Sequence, residues 1–178
     1  MVPLHIWIQA ARLRTLPLAF AVIALGSGLA YKINENVHWG IFALAVFTAG
    51  AYQILSNYAN DLGDGVRGTD DHRTGEKRAI ASGLITASQM KRAVNLWTVL
   101  ALFSGGGLSF LAFQERTPLL VLFSLLNIAA VLAAKSYTMG PKPYAYWGGG
   151  VICVFLFFGV VGVLGSASLY GSLGCSFL

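Results

Sequence analysis

Charge is scarce in this chain. Of its 178 residues only 11% are charged while 56% are hydrophobic, and the mean hydropathy is +0.68. A soluble globular domain carries about 25% charged residues, so there is too little polar surface to face water on all sides. The composition is that of an integral membrane protein. Regular alternation of polar and apolar residues is also missing, which argues against a transmembrane β-barrel. Cysteine is nearly absent: Cys153 and Cys175 stand in or beside apolar sequence without metal-ligand spacing, read as buried thiols, and say little about redox compartment. The net charge of +5 does not mark a nucleic-acid binder, because its cations are not interleaved over a soluble surface.

What is present is a series of long apolar runs. Crossing the hydrocarbon core takes about 20 mostly apolar residues, and five stretches approach this, roughly 16–31, 40–58, 96–113, 119–134 and 146–170. The first could be mistaken for a signal peptide, since Arg12 and Arg14 precede it; four further stretches make it a span. Glycine strings at 105–107 and 148–150 fit close helix approach in a membrane bundle. Placing the N-terminus, the loop of about 60–92 and the segment of about 135–145 on one side collects ten of the twelve Lys and Arg there, leaving Lys32 and Arg116 opposite. By the positive-inside rule the ten-cation side is cytoplasmic.

Acidic residues are scarcer still, seven in all, and four of them fall within 57–71, directly behind the second apolar run. Ionisable groups at a membrane edge are functional candidates, since they need water, a cation or a basic partner. If the second span runs helically into this segment, Asn57, Asp61 and Asp64 lie at i, i+4 and i+7 on one face, and Asn60 can share it. Gly63, Gly65 and Gly68 argue against regular helix beyond Asp64, and a turn there would bring Asp70 and Asp71 back towards the helix end. Carboxylates and amide oxygens are hard ligands that suit Mg²⁺, which usually takes one or two carboxylates plus substrate phosphates. Arg67, Arg73, Lys77 and Arg78 bracket the acids and could hold phosphate oxygens directly. The pattern is a metal–phosphate site, and in a bilayer the phosphate ligand is a lipid-linked one. A solvated charged loop is the plain alternative. A calcium EF-hand is excluded, because its alternate-residue ligands and closing Glu are missing.

At these residues the chain resembles the UbiA superfamily of intramembrane prenyltransferases. That family carries Asn-x-x-x-Asp-x-x-x-Asp at the cytoplasmic end of its second helix; Asn60 and Asp64 match the first two positions and Gly68 stands at the third, with Asp70 and Asp71 the nearest later acids. This displaced spacing resembles the branch acting on 1,4-dihydroxy-2-naphthoate (the MenA type). So do Arg14–Phe20, the basic loop Lys77–Thr86 and the connection Ser136–Tyr144. The resemblance implies an all-α bundle of about nine helices, of which this chain holds about five. It also implies Mg²⁺-dependent transfer of a polyprenyl chain from polyprenyl diphosphate to dihydroxynaphthoate at the cytoplasmic membrane, in menaquinone biosynthesis. Asp61 and Asp64 would be catalytic. Asn57, Asn60, Asp61, Asp64, Asp70 and Asp71 would be metal ligands, and Arg67, Arg73, Lys77 and Arg78 would hold the diphosphate. Lys135 and Tyr137 could bind phosphate or orient the acceptor; snorkelling and interfacial anchoring are the alternative.

Two departures stand out. Nothing after Glu115 is acidic, so the family's second Asp-rich motif is absent, and Val151 occupies a position where the naphthoate branch tends to have an acid. The chain is therefore expected to be the N-terminal portion of such an enzyme, with a small, featureless tail at 166–178. Two rivals come from other classes. Asp61-Leu62-Gly63-Asp64-Gly65 opens like a CDP-alcohol phosphotransferase motif, but the remainder of that motif is missing. A non-catalytic membrane protein handling cations would place acids at mid-bilayer on several helices.

Overall fold

The computed structural model describes residues 2–69 and 78–171, and all regular structure among them is helical. A short helix α1 (Leu4–Ala11) leads through Arg12 into a 3₁₀ turn (Leu13–Thr15) and the first long helix α2 (Leu16–Asn34). Then come α3 (Trp39–Arg67), α4 (Ala87–Phe113) and α5 (Thr117–Ser136). A 3₁₀ turn (Tyr144–Trp147) precedes a last rod, which is α-helical over Gly149–Val154 (α6), π-helical over Phe155–Gly165 and α-helical again over Ser166–Ser168 (α7). Five of these segments are long and apolar enough to cross a membrane. They agree with the five apolar runs, but α3 and α4 extend well beyond the expected 40–58 and 96–113 at the acidic end. The stretch between them is accordingly shorter than the expected 60–92: it runs from Gly68, which ends α3, to Thr86. There Thr86 Oγ1 accepts from Gln89 N at 3.3 Å and Gln89 Oε1 accepts from Thr86 N at 3.0 Å, a reciprocal cap on α4.

Helix α3 is the spine, packing against α1, α2, α4 and α5. Polar groups lock it to its neighbours inside the span, where an unmade hydrogen bond has no water to turn to. Tyr52 on α3 donates to Asn127 Oδ1 on α5 at 2.7 Å, and Asn127 Nδ2 donates to Leu102 O on α4 at 3.0 Å. Gly105 makes room for this knot: a Cβ there would lie 2.5 Å from Asn127 Oδ1 and 2.7 Å from the Tyr52 hydroxyl. Its neighbours do not share the role, since Gly107 faces open space. The string at 148–150 is not a helix-packing surface either: Gly148 sits at φ 77° closing a 3₁₀ turn, and Gly149 and Gly150 lie against Tyr144 and Tyr137.

The segment 166–171 is not featureless. Ser166, Ala167 and Leu169 are buried, the Tyr170 hydroxyl pairs with Ser27 at 2.9 Å, and Ser166 Oγ lies where a side chain at Gly26 would be. Small residues let this rod lie directly on α2. Cys153 is half-buried on the same rod, and Cys175 lies outside the described residues.

Gly105→Ala should therefore break the knot and lower unfolding stability in detergent by about 1–3 kcal/mol. Gly107→Ala should be neutral or stabilising by up to ~1 kcal/mol, because it only removes glycine's backbone entropy. Equal effects of the two on thermal unfolding would contradict this packing.

Candidate functional site

The segments expected on one membrane side do meet at one end of the bundle. Helix α3 runs three residues beyond Asp64: the predicted break does not occur at Gly63 or Gly65 but falls at Gly68. Gly63 and Gly65 are contact positions. A Cβ on Gly63 would lie 2.6 Å from the Thr138 carbonyl oxygen, and one on Gly65 would lie 2.5 Å from Ile80 Cγ2. The bare helix surface seats the α5–α6 connection on one flank and the 78–86 link on the other, which outweighs the roughly 1 kcal/mol helix penalty of each glycine. The helix ends at Gly68, in the left-handed region at φ 74°, with its N–H on Asp64 O; Thr69 N and Oγ1 also donate to that carbonyl, both at 3.2 Å. A residue with a side chain is strained in this conformation, so the position where the family motif has its third acid is here a helix terminator.

Asp61 is 1% exposed; its Oδ2 accepts from Ala79 N at 3.0 Å and its Oδ1 from Ile80 N at 3.2 Å. Both oxygens are thus engaged in anchoring the link. Asp64 is buried nearby: Oδ1 accepts from the Tyr146 hydroxyl at 2.7 Å, and Oδ2 lies 3.7 Å from the buried Arg78 guanidinium. Asn57 is also buried, but its Nδ2 donates to Ala11 O at 2.8 Å and to Thr15 Oγ1 at 3.0 Å, tying α1 and the first 3₁₀ turn to α3. Asn60 differs: its Oδ1 is buried and has no hydrogen-bond donor among the described residues. A buried acceptor without a donor is costly, and this one stands one helical turn before Asp64. Among the described residues no group of three or more His, Cys, Asp or Glu is placed to hold a metal.

The remaining expected residues divide. Arg67 donates to the Gly140 carbonyl and its guanidinium lies 5.7 Å from the Tyr146 ring centroid, so it clamps the α5–α6 connection. Lys135 is on the last turn of α5, half-buried, and makes no hydrogen bond or ion pair with the described residues. Tyr137 packs edge-on to Tyr144 at 5.2 Å, and its hydroxyl makes no hydrogen bond among the described residues. Asp70, Asp71, Arg73 and Lys77 lie outside the described residues.

Tyr146 was not legible as a site residue. It stands two residues past the Ser136–Tyr144 segment, and nothing in its spacing points to Asp64. Loss of hydration raises its pKa above that of a free phenol, as do the hydrogen bond to Asp64 and that carboxylate's charge, against opposing effects of Thr69 and Arg67. It therefore stays protonated, as a donor to Asp64, through neutral and mildly alkaline pH. Arg12 and Arg14 were also missed, having counted only towards topology. With Arg78 they line a cleft beside Asp61.

The profile of the UbiA prenyltransferase family matches residues 18–178. The chain belongs to that family, whose members are membrane prenyltransferases, and this sets aside the CDP-alcohol phosphotransferase motif. Among curated relatives, the 1,4-dihydroxy-2-naphthoate octaprenyltransferase of Haemophilus influenzae is 41% identical over 92% of this chain and 53% of its own length. The proteins of the same name from Escherichia coli and Mycobacterium tuberculosis are each 42% identical over 90% of this chain and 52% of theirs. The chain thus spans about half the length of the curated relatives it matches. No solved structure matches it.

Tyr146→Phe should cost about 1 kcal/mol of stability, by removing the donor to a buried carboxylate, while Tyr137→Phe should be silent. Thermal unfolding of the two purified variants checks this, and a Tyr137→Phe loss equal to that of Tyr146→Phe would refute the assignment.

Proposed function

We propose that this chain forms the diphosphate-binding half of a prenyl-transfer site. The reaction moves a polyprenyl chain from polyprenyl diphosphate to 1,4-dihydroxy-2-naphthoate, with loss of the acceptor carboxylate, at the cytoplasmic face of a bacterial inner membrane. The observation that carries this reading is Asp64 at the membrane edge of α3, with Asn60 Oδ1, which has no donor among the described residues, one turn earlier and Arg78 3.7 Å from the carboxylate. All the relatives named above share the naphthoate acceptor, which favours it over 4-hydroxybenzoate, homogentisate or haem.

The donor chemistry fits Mg²⁺. Asn60 and Asp64 would hold it through hard oxygens, whereas Asp61, with both oxygens on backbone N–H groups, and Asn57, with its amide on α1, act as supports. When bound, Mg²⁺ would neutralise charge on the departing diphosphate. Everything else falls to the chain itself. Tyr146 orients Asp64 by donating to Oδ1, and Arg78 adds positive charge beside it. Arg67 holds Tyr146 and Gly140 in place. The prenyl tail lies among the apolar helices, where exclusion of water protects an allylic cation from quenching.

The detergent-purified chain should bind polyprenyl diphosphate in the presence of MgCl₂. Asp64→Asn should weaken that binding by roughly 10-fold or more, and EDTA should abolish it until MgCl₂ is restored. Binding indifferent to both Asp64→Asn and chelation would sink the metal–diphosphate assignment.

A further inference from the structure

The end of the bundle opposite Asp64 carries a separate cavity of about 520 Å³, where the α2–α3 and α4–α5 turns meet residues 169–171. That lies within the ~300–1,000 Å³ typical of small-molecule sites. Its lining shares no residue with the Asp64 site or with the cleft beside Asp61. Charge also sets this end apart. The two turns and the helix ends beside them carry Lys32, Glu35, Glu115 and Arg116, two charges of each sign, while the sequence puts ten of the twelve Lys and Arg at the other end.

Glu115 and Arg116 both line the cavity, and neither side chain makes a hydrogen bond or ion pair with the described residues. The helix termini repeat this pairing of signs. Helices α3 and α5 begin at this end and α2 and α4 finish there, so partial positive and partial negative charge stand side by side. No side chain caps α5 at its start. Asn34, the last residue of α2, donates through Nδ2 to Tyr170 O at 3.3 Å, which leaves its Oδ1 as an acceptor.

These features select among ligands. A simple anion would meet Glu115 beside Arg116, and a polyanion would find a single guanidinium. A divalent cation finds no group of three His, Cys, Asp or Glu among the described residues. A zwitterion, with one charge of each sign a few bonds apart, answers both side chains at once. The acceptors, Glu115 and Asn34 Oδ1, suit a positive group that donates hydrogen bonds, as a primary ammonium does and a trimethylammonium does not. Trimethylammonium groups favour aromatic cages, whereas Tyr170 is the one phenol in this lining and its hydroxyl pairs with Ser27 at 2.9 Å. The bilayer is adjacent: Ile41 and Leu111, on the spans α3 and α4, form apolar wall. Trp39, at the start of α3, is 76% exposed and edge-on to Phe42 at 5.9 Å, as suits a side chain at headgroup level.

We propose that this cavity holds the headgroup of a phosphatidylethanolamine-type phospholipid, from the leaflet opposite the Asp64 site. Arg116 takes the phosphate, Glu115 and Asn34 take the ammonium, and the acyl chains descend past Ile41 and Leu111. The site goes beyond prenyl transfer and stands independently of it.

Lipid titration of the delipidated, detergent-purified chain tests this, read by native mass spectrometry of bound lipid and by the rise in melting temperature. The probes are phosphatidylethanolamine, phosphatidylcholine and phosphatidylglycerol with matched acyl chains, and free phosphoethanolamine as a competitor. The wild-type chain should bind the ethanolamine lipid at least about tenfold more tightly than either of the others. Glu115 and Arg116 are exposed, so neither Glu115→Gln nor Arg116→Gln should move the lipid-free melting temperature. Glu115→Gln should bring the ethanolamine lipid down to the level of the choline lipid, whereas Arg116→Gln should weaken both. Lys32→Gln, which removes the other cation of this end from outside the cavity, should change neither. The proposal is overturned if the three lipids bind alike, if phosphatidylglycerol binds best, or if Glu115→Gln leaves the preference intact. It is equally overturned if Lys32→Gln acts as strongly as Arg116→Gln, which would be surface charge alone, or if free phosphoethanolamine competes fully, which would make the ligand a soluble zwitterion.

Discussion

Asp61 carries the arrangement of the whole membrane-edge end. A carboxylate that is 1% exposed would be costly to bury unless its charge were answered. Here two consecutive backbone N–H groups, of Ala79 and Ile80, answer it at 3.0 and 3.2 Å. Hydrogen bonds to a charged group are roughly twice as strong as neutral ones, so the 78–86 link is held to α3 through its backbone, whatever its side chains do. That anchor sets Arg78 beside Asp64 and brings Arg78 and Ser82 to the cleft that Arg12 and Arg14 complete. Removing the carboxylate would release two N–H groups and a buried arginine together.

A second set of contacts makes Asp64 a junction between helices far apart in sequence. The α5–α6 connection rests on Gly63, Thr138 Oγ1 donates to Ala59 O at 3.1 Å, and Tyr146 and Arg67 reach across in opposite directions. Asn57 fastens α1 on the other side. The acidic stretch of α3 is thus enclosed by three segments that share only their side of the membrane.

Much of this was open to sequence reading, for reasons that also explain the failures. The five spans follow from hydropathy alone, a one-body property that each segment carries within itself. The partition of loops to one side follows from where lysine and arginine lie, and the contacts among 11–15, 78–80 and 137–147 agree with it. Asp61 and Asp64 were singled out as a pair, and both are buried on α3, but the division between them was not foreseen: one accepts from backbone N–H groups, the other from a phenol beside a guanidinium. That division depends on which residues of a distant link arrive at each carboxylate. Gly63 and Gly65 misled in the same way. Their local preference is to break a helix, and only the approach of Thr138 and Ile80 reverses its meaning. Gly68, at φ 74°, terminates the helix as its type prescribes. Tyr146, Arg12 and Arg14 had no local signal at all, because their relevance comes from tertiary placement.

The left-handed backbone at Arg12 sets conformational strain against chemistry at a single residue. Glycine there would relieve about 1–2 kcal/mol while taking a guanidinium out of the cleft. Selection for thermal robustness alone would therefore drift towards the smaller residue at this position, and selection for the cleft's positive charge would hold the larger one. The strain at residue 12 makes it a place where the two pressures can be told apart by which amino acid survives.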